Sequence, residues 1–252
     1  MRFVLVFMMF VVSLVAFGQQ EEEWLQMLNN PKYDLYRLQQ EDRKAEFHAY
    51  DFSYLLLPGQ KFLGFISSYF RIGMEFTGVS KNRDTLDLYN IKGIFHFGKG
   101  NYEFAGTIRV NQVREFLSMH YGADSMYKKK GLLSQGVMIG SYAFEENPKK
   151  PFSGKLKGTM SVFWYLDEHG KLCYDDVELF NSDSYKNNQY VGTWSPYGSE
   201  NTVTCNWGEY RIPFSGDLDI GTAEFSPNPK YSYKGWGNMD GDLPVVLDAN
   251  LK

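Results

Sequence analysis

The pattern of apolar and polar positions divides the chain into three zones. The first is an apolar run, Phe3 to Phe17, broken only at Ser13 and preceded by Arg2. A helix of that length rises about 22 Å, short of the roughly 30 Å of a bilayer core. Ala16 and Gly18 flank Phe17 with small residues, and the polar stretch Gln19–Glu23 follows at once. This predicts a cleavable signal peptide over residues 1–18, with the mature chain opening near Gln19 in the manner of exported proteins of Gram-negative bacteria. The cut has no neighbouring cysteine that would point to a lipid anchor. No later segment approaches the length of a membrane span.

Residues 19–47 form the second zone, a short helical N-terminal segment of one or two helices. Trp24, Leu25, Met27 and Leu28 mark one apolar face. Asn30-Pro31 then reads as a cap followed by proline at the first helical position, with Tyr33, Leu35, Tyr36 and Leu38 continuing at mixed helical spacing.

From residue 48 to 252 the chain reads as a single β-rich domain. Phe62, Phe65, Tyr69, Ile72, Met74 and Phe76 alternate around glycines, and Lys81–Asp84 reads as a turn. Leu86 to Phe97 continues in strand style, and Gly98–Asn101 turns the chain into Tyr102–Val110. Residues 112–119 fit a strand or a helical turn equally. Val137–Phe144, Gly154–Leu166 and Leu172–Val177 resume the meander, with Asp167–Gly170 as a hairpin loop. Short runs separated by turn chemistry indicate antiparallel structure. Phe-x-Gly recurs at Phe76-Thr77-Gly78, Phe104-Ala105-Gly106, Phe152-Ser153-Gly154 and Phe214-Ser215-Gly216. In a strand the ring and the glycine share one face, which leaves space for a neighbouring ring or lets the strand coil. The predicted fold is therefore mainly β: an antiparallel meander closed into a barrel or folded into a strongly twisted sandwich. From about residue 181 the turn residues multiply, and loops draped over the sheet are expected.

Composition supports this reading. Aromatic residues make up 17% of the chain and glycine contributes 24 residues, a balance that suits half-buried strands and tight turns. The net charge of −4 carries no basic footprint for nucleic acid, and Lys128-Lys129-Lys130 reads as a solvated loop. The two cysteines, Cys173 and Cys205, fall in the exported portion, where a disulfide between them is the default expectation.

Catalytic signatures are absent from the sequence. His48, His96, His120 and His169 have no metal-ligand spacing, and there is neither a Gly-x-Ser-x-Gly elbow nor a phosphate loop. No cofactor is expected, and calcium is the one metal for which carboxylates offer an alternative. Asp217, Asp219 and Glu224 are the acidic candidates: on a strand the first two would share a face, as calcium ligands or glycosidase carboxylates do. The spacing from Asp217 fails the EF-hand pattern, because Thr222 stands where glycine is needed. Trp194, Trp207, Tyr197, Tyr210 and Trp236 are the candidate ligand-binding rings, either stacking on a glycan or peptide or filling the core beneath loops. These features lead to an exported, periplasmic or extracellular protein that binds a glycan, a peptide or an envelope partner without catalysis. A carboxylate-dependent hydrolase and a structural component of the envelope are the alternatives.

Overall fold

The computed structural model describes residues 19–28, 38–57, 62–122, 125–177 and 185–237. The predicted signal peptide and the start of the second predicted helix lie outside them. Among the described residues nine strands form: β1 (Phe62–Ile66), β2 (Phe70–Lys81), β3 (Leu88–Phe97), β4 (Gly100–Glu115), β5 (Ser134–Glu146), β6 (Gly154–Leu166), β7 (Leu172–Tyr174), β8 (Asn187–Pro196) and β9 (Val203–Glu209). Neighbours are antiparallel in the order β5-β4-β3-β2-β1-β9-β8-β6, and β5 pairs with β6, so eight strands close into a barrel. The three-residue β7 pairs with Trp164–Leu166 of β6, beyond the stretch of β6 that holds β8. Closure decides for the barrel over the sandwich.

The same alternation that predicted strands sorts the side chains. Along β6, Leu156, Met160, Val162 and Trp164 are buried, while Lys155 and Lys157 are exposed. Tyr190 lies over Trp207 with centroids 4.9 Å apart and planes 10° from parallel, and Tyr142 meets Trp207 edge-on at 5.1 Å. An eight-stranded barrel is just wide enough for side chains to fill. Rings this large fit because some inward positions are glycine. A β-carbon on Gly64 would sit 2.5 Å from the Trp207 Cβ. Gly158 and Gly192 face each other across β6 and β8, and a β-carbon on Gly158 would come within 2.9 Å of the Tyr142 hydroxyl. Of the four Phe-x-Gly triplets, Phe104-Ala105-Gly106 alone lies within a regular strand stretch. At Phe76-Thr77-Gly78 a bulge shifts the register, and Phe152 and Phe214 occupy turns with φ of 61° and 54°.

One barrel end is closed by hairpin turns: 67–69, 98–99, 147–153 and 197–202. The other is plugged by the segment 43–57, which contains a 3-10 turn (Glu46–Ala49) and the short helix α2 (Ser53–Leu56). Phe47, Phe52, Leu55 and Leu56 insert there, and Phe47 meets Trp164 with centroids 4.5 Å apart. Lys81 Nζ donates to the carbonyls of His48 and Tyr50 at 2.6 Å each, tying the plug to β2.

Two segments cover parts of the outer wall. The helix α1, residues 19–28, lays Trp24 and Leu28 against Val137, Ile139 and Val191 of β5 and β8. After β9 the chain runs back along β1. There Ile212, Leu218 and Trp236 pack on Phe65, and Trp236 Nε1 donates to the Tyr69 carbonyl at 2.7 Å.

Three sequence expectations change. The second helix does not extend through its predicted end: Leu38 instead bridges to Phe116, and residues 39–43 are irregular. The supposedly loop-rich region from 181 contributes β8 and β9, a quarter of the barrel, and becomes irregular only after Glu209. The disulfide is absent. Cys205 is fully buried in the barrel interior, whereas Cys173, between the inward Leu172 and Tyr174, faces outward beside Tyr165 and Tyr54. The barrel wall separates the two thiols.

Among the described residues no helix is long and apolar enough to cross a membrane. Glu103, Arg109, Lys155 and Lys157 project outward from the strands while rings fill the inside. That polarity is the reverse of the apolar-out, polar-in pattern of barrels that span membranes.

Candidate functional site

The structure scatters the residues that the sequence nominated. Trp194, Trp207 and Trp236 are 2%, 0% and 3% exposed, so they are core rings and present no face to a ligand. Trp194 and Trp207 lie in the barrel interior, where inward strand positions placed them; Trp236 lies under the C-terminal segment. Tyr197 is half-buried, with its hydroxyl donating to the Glu146 carbonyl at 2.9 Å. Tyr210 is exposed at the end of β9, edge-on to Tyr185 at 4.9 Å, and stands well apart in the fold from Tyr197 at the hairpin end.

The acids are not a pair either. Asp217 lies in a 3-10 turn (Gly216–Leu218) and Asp219 just beyond it, so the shared strand face does not exist. Asp217 is held by Lys230 and by the Tyr231 hydroxyl, which keep its carboxyl below its ordinary pKa. Asp219 pairs with Arg211 at 2.5 Å and accepts from the Gly221 and Ser226 amides. Arg211 also reaches the carbonyls of Gly221 and Ala223, so this cluster is a clamp that folds the loop. Glu224 is exposed in the same loop. Among the described residues no group of three or more His, Cys, Asp or Glu is arranged to hold a metal ion.

Two features outside the predicted site residues have more chemistry. The first is Glu146, the last residue of β5. It continues the inward series Tyr142, Phe144, Glu146 and is 2% exposed. Its Oε2 accepts from the Gly154 amide and from Trp194 Nε1, the latter at 3.4 Å, while Oε1 is buried with no hydrogen-bond partner. Burial raises its pKa to about 7, against the smaller lowering effects of those hydrogen bonds and of Lys150. The carboxyl thus joins the β5–β6 turn to the ring of Trp194 at the hairpin end. Strand alternation could have found it, since a carboxylate in register with two buried rings is conspicuous; the predicted strand stopped at Phe144, two residues short.

The second is a groove of about 900 Å³ on the outer wall of β2 to β5. The α1 helix covers parts of the wall on β5, β6 and β8, and the C-terminal segment covers part of β1. The groove is lined by Thr77, Lys92, Ile94, Glu103, Ala105, Ala143 and Glu145, among others. Thr77 is the extra residue of the β2 bulge, and bulges bend a strand and increase its twist. Small Ala105 and Ala143 lower the floor. Ile94 pairs with Glu103 and Lys92 with Ala105, which places Lys92 and Glu103 on a diagonal. Glu145 is paired with Lys155 at 2.7 Å, whereas neither Lys92 nor Glu103 has an ion-pair partner among the described residues. No protein-family model, no curated protein and no solved structure matches this chain.

Proposed function

We propose that this chain is an exported, non-catalytic binding protein whose ligand is a peptide segment of another protein, laid in extended form in the groove on β2 to β5. Export rests on Arg2, the apolar run Phe3–Phe17 and the small residues Ala16 and Gly18. The periplasm or the extracellular space is the destination these features imply. The observation that carries the binding reading is the uncompensated diagonal of Lys92 and Glu103 around a floor of Ile94 and Ala105. The volume falls within the roughly 300–1,000 Å³ of ligand sites. Among the described residues, rings fill the barrel interior and the groove carries no exposed aromatic ring to stack on a sugar, which favours a peptide over a glycan.

The geometry sets the ligand pattern. Diagonal cross-strand neighbours lie about 7–8 Å apart, close to the ~6.7 Å between alternate side chains of an extended strand. A peptide with an acidic residue two positions from a basic one can therefore answer Lys92 and Glu103 together. Panning a random-peptide display library against the chain tests this. Enriched sequences should carry an acid and a base at that spacing, and Lys92→Glu with Glu103→Lys should weaken them by roughly 100-fold if each charged contact contributes about 1.4 kcal/mol. Failure to enrich any peptide, or enrichment indifferent to the double reversal, would remove the reading.

A further inference from the structure

We infer that the β4–β5 loop at the plugged end of the barrel is a docking surface for an anionic lipid bilayer. Leu117, Met126 and Leu133 in this loop are 61%, 59% and 58% exposed. Their outward stance is built in. The loop's two roots bury the residues next to them, Phe116 and Leu132 at 6% each, and the Phe116 amide donates to the Gln135 carbonyl at 2.8 Å. One root therefore holds Phe116 in the fold and Leu117 in solvent, and the other holds Leu132 in the fold and Leu133 in solvent. Tyr54 on α2 and Leu86 in the β2–β3 turn, both 48% exposed, extend the apolar tips across the same end.

Charge selects the occupant. Lys128 and Lys129, between Met126 and Leu133, are exposed and have no ion-pair partner among the described residues. Several acids of this end are occupied from within. Glu46 and Glu115 pair with Arg43, Asp87 with Arg109 at 3.0 Å, and Asp42 accepts from the Lys44 and Val113 amides. Glu168 lies beside Gly131, with its carboxylate 3.7 Å from His169. The loop's own sequence carries three lysines and one acid, Asp124. Exposed Glu41, Asp51, Asp84 and Asp176 lie on other segments of this end, so the loop itself is the part that approaches the lipid. Separate apolar tips flanked by lysines match a headgroup boundary: the tips enter the acyl edge, and the lysines stay with the phosphates.

The test is co-sedimentation of the chain from Gln19 onward, which carries every described element, with vesicles. One set contains 30% phosphatidylglycerol in phosphatidylcholine and the other phosphatidylcholine alone. Binding to the anionic vesicles is expected, falling as salt is raised. Lys128→Gln with Lys129→Gln should reduce it roughly 30-fold, at about 1 kcal/mol for each lysine. Leu117→Ser with Leu133→Ser should reduce binding further with little change in melting temperature, because more than half of each side chain is already in water. If the leucine variant melts early, the lysine variant, which changes only exposed charges, decides alone. No association with anionic vesicles, equal binding by the lysine variant, or self-association through this loop without lipid binding would overturn the inference.

Discussion

Replacing Glu146 with glutamine should remove a specific part of the pH dependence of stability. In the unfolded chain the carboxyl titrates near its ordinary 4.5; in the barrel it titrates near 7, because the site is dry. Between these values the folded state binds the extra proton, so stability contributed by this group is complete below about pH 4.5 and is lost as the pH rises through 7. The gap corresponds to about 3 kcal/mol at 1.36 kcal/mol per pH unit. Such a loss is a sizeable share of the 5–15 kcal/mol typical of a domain. The structure shows where it arises: at high pH the charge is buried with no hydrogen-bond donor at Oε1, and the Gly154 amide and Trp194 Nε1 answer Oε2.

Urea unfolding followed by circular dichroism, for the parent and Glu146→Gln at several pH values from 4.5 to 8, measures this directly. Other groups titrate in the same range, but they are common to both proteins, so the difference between the two isolates position 146. That difference should move by about 3 kcal/mol in favour of glutamine between pH 4.5 and pH 8. A difference that stays constant with pH would mean that the carboxyl is hydrated in the native state, and the reasoning from burial would fail.

Three other outcomes follow from the interior and its thiols. Gly158→Ala should destabilise by about 3 kcal/mol, the upper end for overpacking, because its β-carbon would press on backbone atoms of Val191 and Gly192; Gly78→Ala, which meets only the Lys92 Cβ at 4.0 Å, should be near neutral in the same urea titration. Trp207→Ala should cost about 3–5 kcal/mol and broaden near-ultraviolet circular dichroism, with peptide binding lost only where the fold is lost. Alkylation of the unreduced protein should label Cys173 first and Cys205 only under denaturant, and mass spectrometry should find two modified thiols; a single disulfide-linked species would contradict the placement of the thiols on opposite sides of the wall.

Much of the fold was legible because strand periodicity is written residue by residue. The pattern of Gly154–Leu166 predicts a strand from end to end, and it is β6. Periodicity stops marking strands where alternation is hidden. In β8, Gln189, Val191 and Thr193 face outward yet are buried, so polar and apolar positions no longer mark two faces, and a shift in register near Asn188 breaks the period. That is why 187–209 looked like decorated loop and why Trp194 and Trp207 looked available to a ligand. Asp217 and Asp219 misled for a related reason: spacing of two implies a common face only in a strand, and a 3-10 turn sends them to different partners. Lys92 and Glu103 were invisible as a pair because their relation is set by the register of β3 on β4, which no local pattern declares.

The interior explains why function should be sought on the outside. A barrel of eight strands can keep a cavity only if its inward side chains are small or few. Here inward Phe76, Tyr142, Tyr190 and Trp207 contact one another, with centroids 4.9–5.7 Å apart along the chain of contacts. Inward glycines at 64, 158 and 192 accommodate those rings by bringing neighbouring backbones close, and thereby consume the space that a ligand would need. The same rings supply a rigid support for the wall behind them. With α1 on one flank and the C-terminal segment on another, the surfaces that stay open among the described residues include the charged wall of β2 to β5 and the tips of the β4–β5 loop. The first offers a groove with an unanswered charge diagonal, and the second offers apolar tips beside lysines. A protein whose core is this full can recognise partners by its wall and its loops, and mutations that separate binding from folding belong at Lys92, Glu103, Lys128 and Lys129, whose side chains lie on the exposed wall or loop.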